Sequence, residues 1–126
     1  MTFFSVSTAF VTLADANSEK LVQFYRQFLQ IEPQPHIPHI YAEFQLPGLQ
    51  LGIFQPKSGH VAEFSDSDRS GMSLCLEFPN LEAAIARLQH LGYPPPGEII
   101  TASHGREIYA YDPAGNRLIL HQGLSK

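Results

Sequence analysis

The chain runs through one order of elements twice, and that repetition limits the folds open to it. A strand-like stretch, a helix and further strand-like stretches occupy residues 7–55, and the same order returns over residues 71–122. In the first half, Ala9, Val11 and Leu13 alternate with Thr8, Phe10 and Thr12, the period of two that marks a half-buried strand. Asn17 stands where an N-cap is expected and Glu19 suits the positive end of a helix. Leu21, Phe24, Tyr25, Phe28 and Leu29 then recur on one helical face, and Pro33 and Pro35 stop that helix. Residues 40–46 and 49–55 read as a hairpin about the turn pair Pro47-Gly48.

Residues 56–70 are polar and carry Gly59, Ser65, Asp66, Ser67, Asp68 and Arg69. They read as a flexible loop and as the seam between the halves. In the second half, Met72, Leu74, Leu76 and Phe78 make one strand face against Ser73, Cys75 and Glu77. Asn80 is an N-cap candidate for a helix striped by Leu81, Ala84, Ile85, Leu88 and Leu91. Gly92 ends that helix, and Pro94, Pro95 and Pro96 forbid its continuation. Residues 98–102 offer a short strand. In residues 107–122, Ile108 and Ala110 alternate with Tyr109 and Tyr111, and Leu118 and Leu120 with Arg117, Ile119 and His121. Asp112-Pro113-Ala114-Gly115-Asn116 lies between these runs: Asp bonds its own backbone, Pro presets φ and Gly accepts a positive φ, so each supports a turn. A ferredoxin-like sheet shares the strand–helix units but fits less well, because too many strand signals follow each helix.

The 126 residues suit one domain with a single core. The net charge of −4 supplies no basic patch of the kind that tracks nucleic acid. No Lys or Arg precedes the apolar N-terminal stretch, and Asp15 ends it too early for a membrane span, so neither a signal peptide nor a membrane helix is expected. Cys75 is the only cysteine, which forbids an intramolecular disulfide. Together these features point to the cytoplasm.

Three segments in order resemble the vicinal oxygen chelate superfamily, the glyoxalase, bleomycin-resistance and extradiol dioxygenase group. The Asp112–Asn116 turn matches its D-P-x-G-N turn. Residues 17–29 are similar to its D-x-x-x-S-x-x-F-Y segment, and residues 76–91 to its F-x-V-x-D-x-x-A-A-x-x-L segment, with Phe78 and Asn80 in place of Val and Asp. The resemblance implies an α+β fold in which two βαβββ modules, about 5–58 and 70–123 of one domain over 1–126, form a cup-shaped curved sheet with helices on the convex side. Thr8, Phe10, Thr12, Ser73, Cys75, Glu77, Arg117, Ile119 and His121 would then face the concave side, joined by Gln50, Gly52 and Phe54.

Family chemistry usually runs through a divalent metal. Carried over by position, its ligands fall at Phe10, Gln50, Ser73 and Ile119. Only Gln50 is a plausible donor, since Phe and Ile have no donor atom and Ser is a poor ligand. Metal-dependent glyoxalase or dioxygenase activity is therefore not expected. No metal site and no cofactor are assigned, with a divalent metal left open.

Glu77 and His121 are the catalytic candidates. A concave-face Glu77 is expected to be partly desolvated, with a raised pKa, and to act as a general base with His121 as proton shuttle. The alternatives for Glu77 are a structural ion pair with Arg117 or Arg106, or a place near the exposed end of the strand. Arg106, in the His104-Gly105-Arg106 loop over the mouth of the cup, is a clamp for an anionic ligand or else a surface residue. Phe10, Thr12, Gln50, Phe54, Ser73, Arg106, Arg117 and Ile119 make up the ligand-binding set. Tyr109 and Tyr111 suit a cavity wall or a dimer interface. His36 and His39, split by Pro38, read as a solvated linker, since a third zinc ligand such as His60 would have to arrive from a loop. Cys75 reads as a small buried hydrophobe.

The resemblance implies a binder of a small molecule, as in the metal-free bleomycin-resistance proteins, acting as a homodimer with neither nucleic acid nor membrane as partner. The alternatives are a lyase, isomerase or dioxygenase of the same superfamily, and an interaction subunit whose cup is filled by side chains.

Overall fold

A computed structural model describes residues 5–66 and 69–124. Met1 of the apolar N-terminal stretch, and Ser67 and Asp68 of the seam loop, lie outside them. Two four-stranded mixed sheets carry the chain. The first holds β1 (Val11–Ala14), β2 (His36–Ile37), β3 (Tyr41–Leu46) and β4 (Leu49–Phe54) in the order β1-β4-β3-β2. The second holds β5 (Leu74–Glu77), β6 (Ile100–Ala102), β7 (Gly105–Tyr111) and β8 (Arg117–Gly123) in the order β5-β8-β7-β6. With α1 (Ser18–Leu29) after β1 and α2 (Leu81–Leu91) after β5, each half is a βαβββ unit. In each, the first strand pairs in parallel with the last, so β1 and β5 are both sheet edges.

Local chemistry explains the helix limits. The Asn17 side chain accepts from the Lys20 amide, and Asn80 does the same for Ala83, each satisfying an otherwise orphaned donor. The first helix ends at Leu29, with Gln30 at φ 57, before either proline is reached. The second ends at Gly92, whose φ of 93 suits glycine and whose amide bonds back to Gln89 and Leu88.

One apolar core unites the halves. Leu21, Tyr25 and Phe28 of α1 lie over Phe44, Leu51 and Ile53, while Leu81, Ala84 and Leu88 of α2 lie over Ile108, Leu118 and Leu120. The helices also meet each other. Phe24 stands edge-on to Tyr93 at 5.2 Å between ring centres, Phe28 lies 5.7 Å from Phe78, and the Arg87 guanidinium donates to the Gln27 carbonyl at 2.8 Å. Tyr25 and Phe44 are among the largest fully buried side chains. Removing such rings from water is the main favourable term in folding.

Several expectations from sequence need correcting. The first strand begins at Val11 rather than at residue 7, so Phe10 precedes it and is 47% exposed. The fifth begins at Leu74, leaving Met72 off the strand and 71% exposed. Residues 36–37, read as linker, pair with the outer edge of β3. Two residues are too few to show alternation. Part of the seam loop is a 3-10 helix, Ser58–Phe64, anchored by Phe64 edge-on to Phe54 at 5.4 Å. Among the described residues no helix is long and apolar enough to cross a membrane.

Candidate functional site

The edges of β1 and β5 border a cavity of about 270 Å³. Val11, Thr12 and Leu13 form one wall, Met72, Ser73 and Leu74 another, and Phe64 of the 3-10 helix a third. Asn116 and Arg117, at the start of β8, add polar groups, while Glu63 and Asp66 line it from the seam. The Arg117 guanidinium donates to Ser73 Oγ at 2.7 Å and to the carbonyls of Ser70 and Met72 at 2.8 and 3.3 Å. These bonds fix the segment leading into β5 and go to no carboxylate. A guanidinium held this way keeps its charge available to an anionic group.

Of the ligand-binding set, Thr12, Ser73 and Arg117 line this cavity. Phe54 stands behind it, against Phe64. Gln50 is bonded to Gln45 at 3.1 Å, and Ile119 is half-buried between its register partners Cys75 and Tyr109. Arg106 lies elsewhere. Its guanidinium donates to both Glu82 carboxylate oxygens, at 2.5 and 2.9 Å, and to Gln122 Oε1 at 3.0 Å. Gln122 Oε1 also accepts from the first amide of α2, Leu81, so Arg106 is on the helix side of the sheet. Beside it Glu82 is drawn down to a pKa of about 2. Of the positions to which the resemblance carries metal ligands, Phe10 and Ile119 have no donor atom, Gln50 Nε2 donates to Gln45 Oε1, and Ser73 Oγ accepts from Arg117.

At the other end of the second sheet lies a polar row. Register places Glu77 of β5 opposite His121 of β8, and His121 opposite Glu107 of β7. Directly opposed residues share a face. His121 Nδ1 is 2.5 Å from Glu77 Oε1, and the Gly123 amide donates to Glu77 Oε2 at 2.5 Å. His104, before β7, stacks on His121 with its Nδ1 2.8 Å from His121 Nε2. The expected partial burial of Glu77 is reversed. Its side chain is 62% exposed, because β5 ends there, and the bonds from His121 and Gly123 hold its carboxyl below the ordinary value. Neither arginine pairs with it. Cys75 is exposed rather than buried, and its thiol is pushed up by local desolvation and by the nearby charges of Glu107 and Glu77. His36 and His39 are held by Glu19, away from His60, which pairs with Glu63. Glu107 and His104 were not singled out as site residues, although counting back from the Asp112–Asn116 turn pairs Glu107 with His121.

No protein-family model matches the chain, and no curated protein matches it in sequence. Solved structures match it in fold. A glyoxalase-related enzyme from Fulvimarina pelagi is 17% identical with a TM-score of 0.70, covering 94% of this chain and 89% of its own. A lactoylglutathione lyase from Agrobacterium tumefaciens is 18% identical with a TM-score of 0.69, over 94% and 95% of the two chains. A bleomycin-binding protein complexed with bleomycin is 18% identical with a TM-score of 0.67, over 94% and 100%. The fold is therefore the glyoxalase/bleomycin-resistance fold that the three sequence segments pointed to.

Proposed function

We propose that this protein binds a small amphipathic molecule in the cavity between β1 and β5, without a metal at the positions to which the resemblance carries ligands. The observation that carries this reading is the combination of apolar walls, from Val11, Leu13, Phe64 and Leu74, with the guanidinium of Arg117, whose bonds among the described residues go to a hydroxyl and two carbonyls while Glu63 and Asp66 line the cavity from the seam. Sites of this kind take an apolar body and orient it by a few placed polar groups. The ligand class is a compact apolar molecule bearing an anionic or strongly accepting group. The bleomycin complex of one protein of this fold supports small-molecule binding. Phe10, next to Val11 in sequence, and Met72, which lines the cavity, are both exposed and are the residues a second copy would cover in a homodimer.

The test is titration with 8-anilinonaphthalene-1-sulfonate, and with bleomycin, followed by fluorescence and thermal shift. Saturable binding is expected, weakened by Arg117→Met and abolished by Leu13→Trp, which fills the space. Binding unchanged in both variants would remove the cavity from consideration.

A second reading, proton transfer in an isomerase or lyase, is supported by the chain of contacts from His104 through His121 to Glu77. It predicts a turnover that His121→Asn eliminates while Arg117→Met merely raises KM.

A further inference from the structure

Glu77, Glu107, His104 and His121 form a cluster that the cavity does not use. Glu77 lies four positions beyond Ser73 and His121 four beyond Arg117, which along a strand is about 13 Å. We propose that His104, Glu107 and His121 make a binding site for a divalent transition metal, with zinc the best-suited ion.

One donor atom from each of these three residues lies within 4.8 Å of the donors of the other two. Two imidazoles and a carboxylate suit zinc, cobalt or nickel and are a poor set for calcium or magnesium. The donors come from three places that the fold fixes independently: the β6–β7 turn, β7 and β8. Glu107 is held in register with His121 by the hairpin ladder. Its side chain is only 18% exposed, so it is presented from the sheet rather than swinging in solvent.

The surroundings of His121 strengthen the assignment. A metal-bound histidine commonly gives its other ring N–H to a carboxylate, which fixes the tautomer and raises ligand basicity. Glu77 stands in that position on Nδ1 of His121, and its second oxygen is secured by the Gly123 amide. Nε2 of His121 is thereby left as the ligating nitrogen, and it is the atom that His104 Nδ1 approaches at 2.8 Å. Two ligands of one tetrahedral zinc stand about 3.3 Å apart, given bonds of about 2.0–2.1 Å. The two rings therefore need to part by only about half an ångström, and His104, 59% exposed on a turn, can supply that movement. Among the described residues no arginine or lysine bonds to the Glu77 or Glu107 carboxylate, so the local field favours a cation. Three protein donors leave one coordination position open, the arrangement of zinc sites that accept an exchangeable ligand.

The site does not coincide with the positions to which the family resemblance carries metal ligands. Those are Phe10, Gln50, Ser73 and Ile119, whereas His104, Glu107 and His121 are none of these and all lie in the second half. It also stands apart from the cavity reading, since no residue lining that cavity is a ligand here.

The experiment uses the full chain, stripped with chelator and titrated with Zn²⁺ by calorimetry and with Co²⁺ by visible absorption. Saturation at one ion per chain is expected, with a rise in Tm and cobalt bands of a low-coordinate nitrogen–oxygen site. Glu77→Gln keeps all three ligands and should weaken binding by about tenfold to a hundredfold. His104→Asn should weaken it further. Because His104 is an exposed turn residue, that variant should fold even if His121→Asn does not. A paired His36→Asn, His60→Asn variant should bind as the parent does. Absence of saturable binding overturns the proposal, and so does binding that survives His104→Asn or is lost in the His36, His60 variant.

Discussion

Tyr25 Oη donates to Asp112 Oδ2 at 2.6 Å, joining the first helix to the last hairpin turn across 87 positions of sequence. The same carboxylate accepts from the amides of Ala114 and Asn116, both at 2.9 Å, and from the Asn116 side chain at 2.8 Å. Both partners are buried, Asp112 to 4% exposure and Tyr25 completely. The turn that is most recognisable in the sequence is thus also a bolt between the two halves.

Tyr25→Phe removes the donor and leaves the carboxylate with its three turn bonds. A loss of about 1–3 kcal/mol is expected, the range for a buried bond to a charged partner. Urea unfolding followed by circular dichroism reads it as a lower midpoint at unchanged slope. An unchanged midpoint would show that the bond contributes nothing net.

The same pair predicts a pH dependence. Burial first, then the Asp112 charge and hydrogen bond, raise the Tyr25 phenol well above its ordinary value of 10.0. The folded state therefore holds this proton more tightly than the unfolded chain does. Stability from this group is complete below pH 10 and declines as pH rises toward the raised folded value. Unfolding midpoints measured between about pH 8 and pH 11 should fall at the alkaline end, and the fall should be smaller in Tyr25→Phe.

Two glycines separate backbone strain from crowding. Gly105 has φ 142, and a Cβ there would sit 2.3 Å from the Gln122 carbonyl oxygen, a backbone atom with little room to move. Gly105→Ala should cost at least about 2 kcal/mol. Gly92 has φ 93 with open space around it, so Gly92→Ala should cost only about 1 kcal/mol. Thermal unfolding of both variants checks the order, and equal losses would refute it.

Helix capping gives a further comparison. Asn80→Ala removes the acceptor for the Ala83 amide, at 3.0 Å, and should cost about 1 kcal/mol. Asn17→Ala breaks a longer contact, 3.4 Å to Lys20, and should cost less. Chemical denaturation of the two variants ranks them.

Much of this structure could be read in the sequence because the signals are local. Asn17, Asn80 and Gly92 set helix limits within a turn of themselves, and the Asp112–Asn116 turn sets the last hairpin's register. That register also held the Glu107–His121 pairing. His104 was hidden because its contact comes from a turn folding back over the strand, which no periodicity records. Arg106 was misplaced for a different reason. Residues 104–106 carry the residue types of a loop, yet β7 begins at Gly105, and within that strand Arg106 shares the parity of Ile108 and Ala110, the helix-facing side. Glu77 was expected to be desolvated because strand position alone does not tell where the strand stops. The cavity wall from Phe64 depends on a 3-10 helix whose polar sequence carries no helical stripe.

The contact between the two helices bears on how this chain can be divided. Phe24 and Phe28 rest on Tyr93 and Phe78, so a fragment ending near Phe64 would leave aromatic rings in water, and so would its complement. Mixed, the two pieces would present matching apolar faces and a phenol–carboxylate pair by which to find each other. The chain has the makings of a split reporter: two inert polypeptides that regain structure only in each other's company.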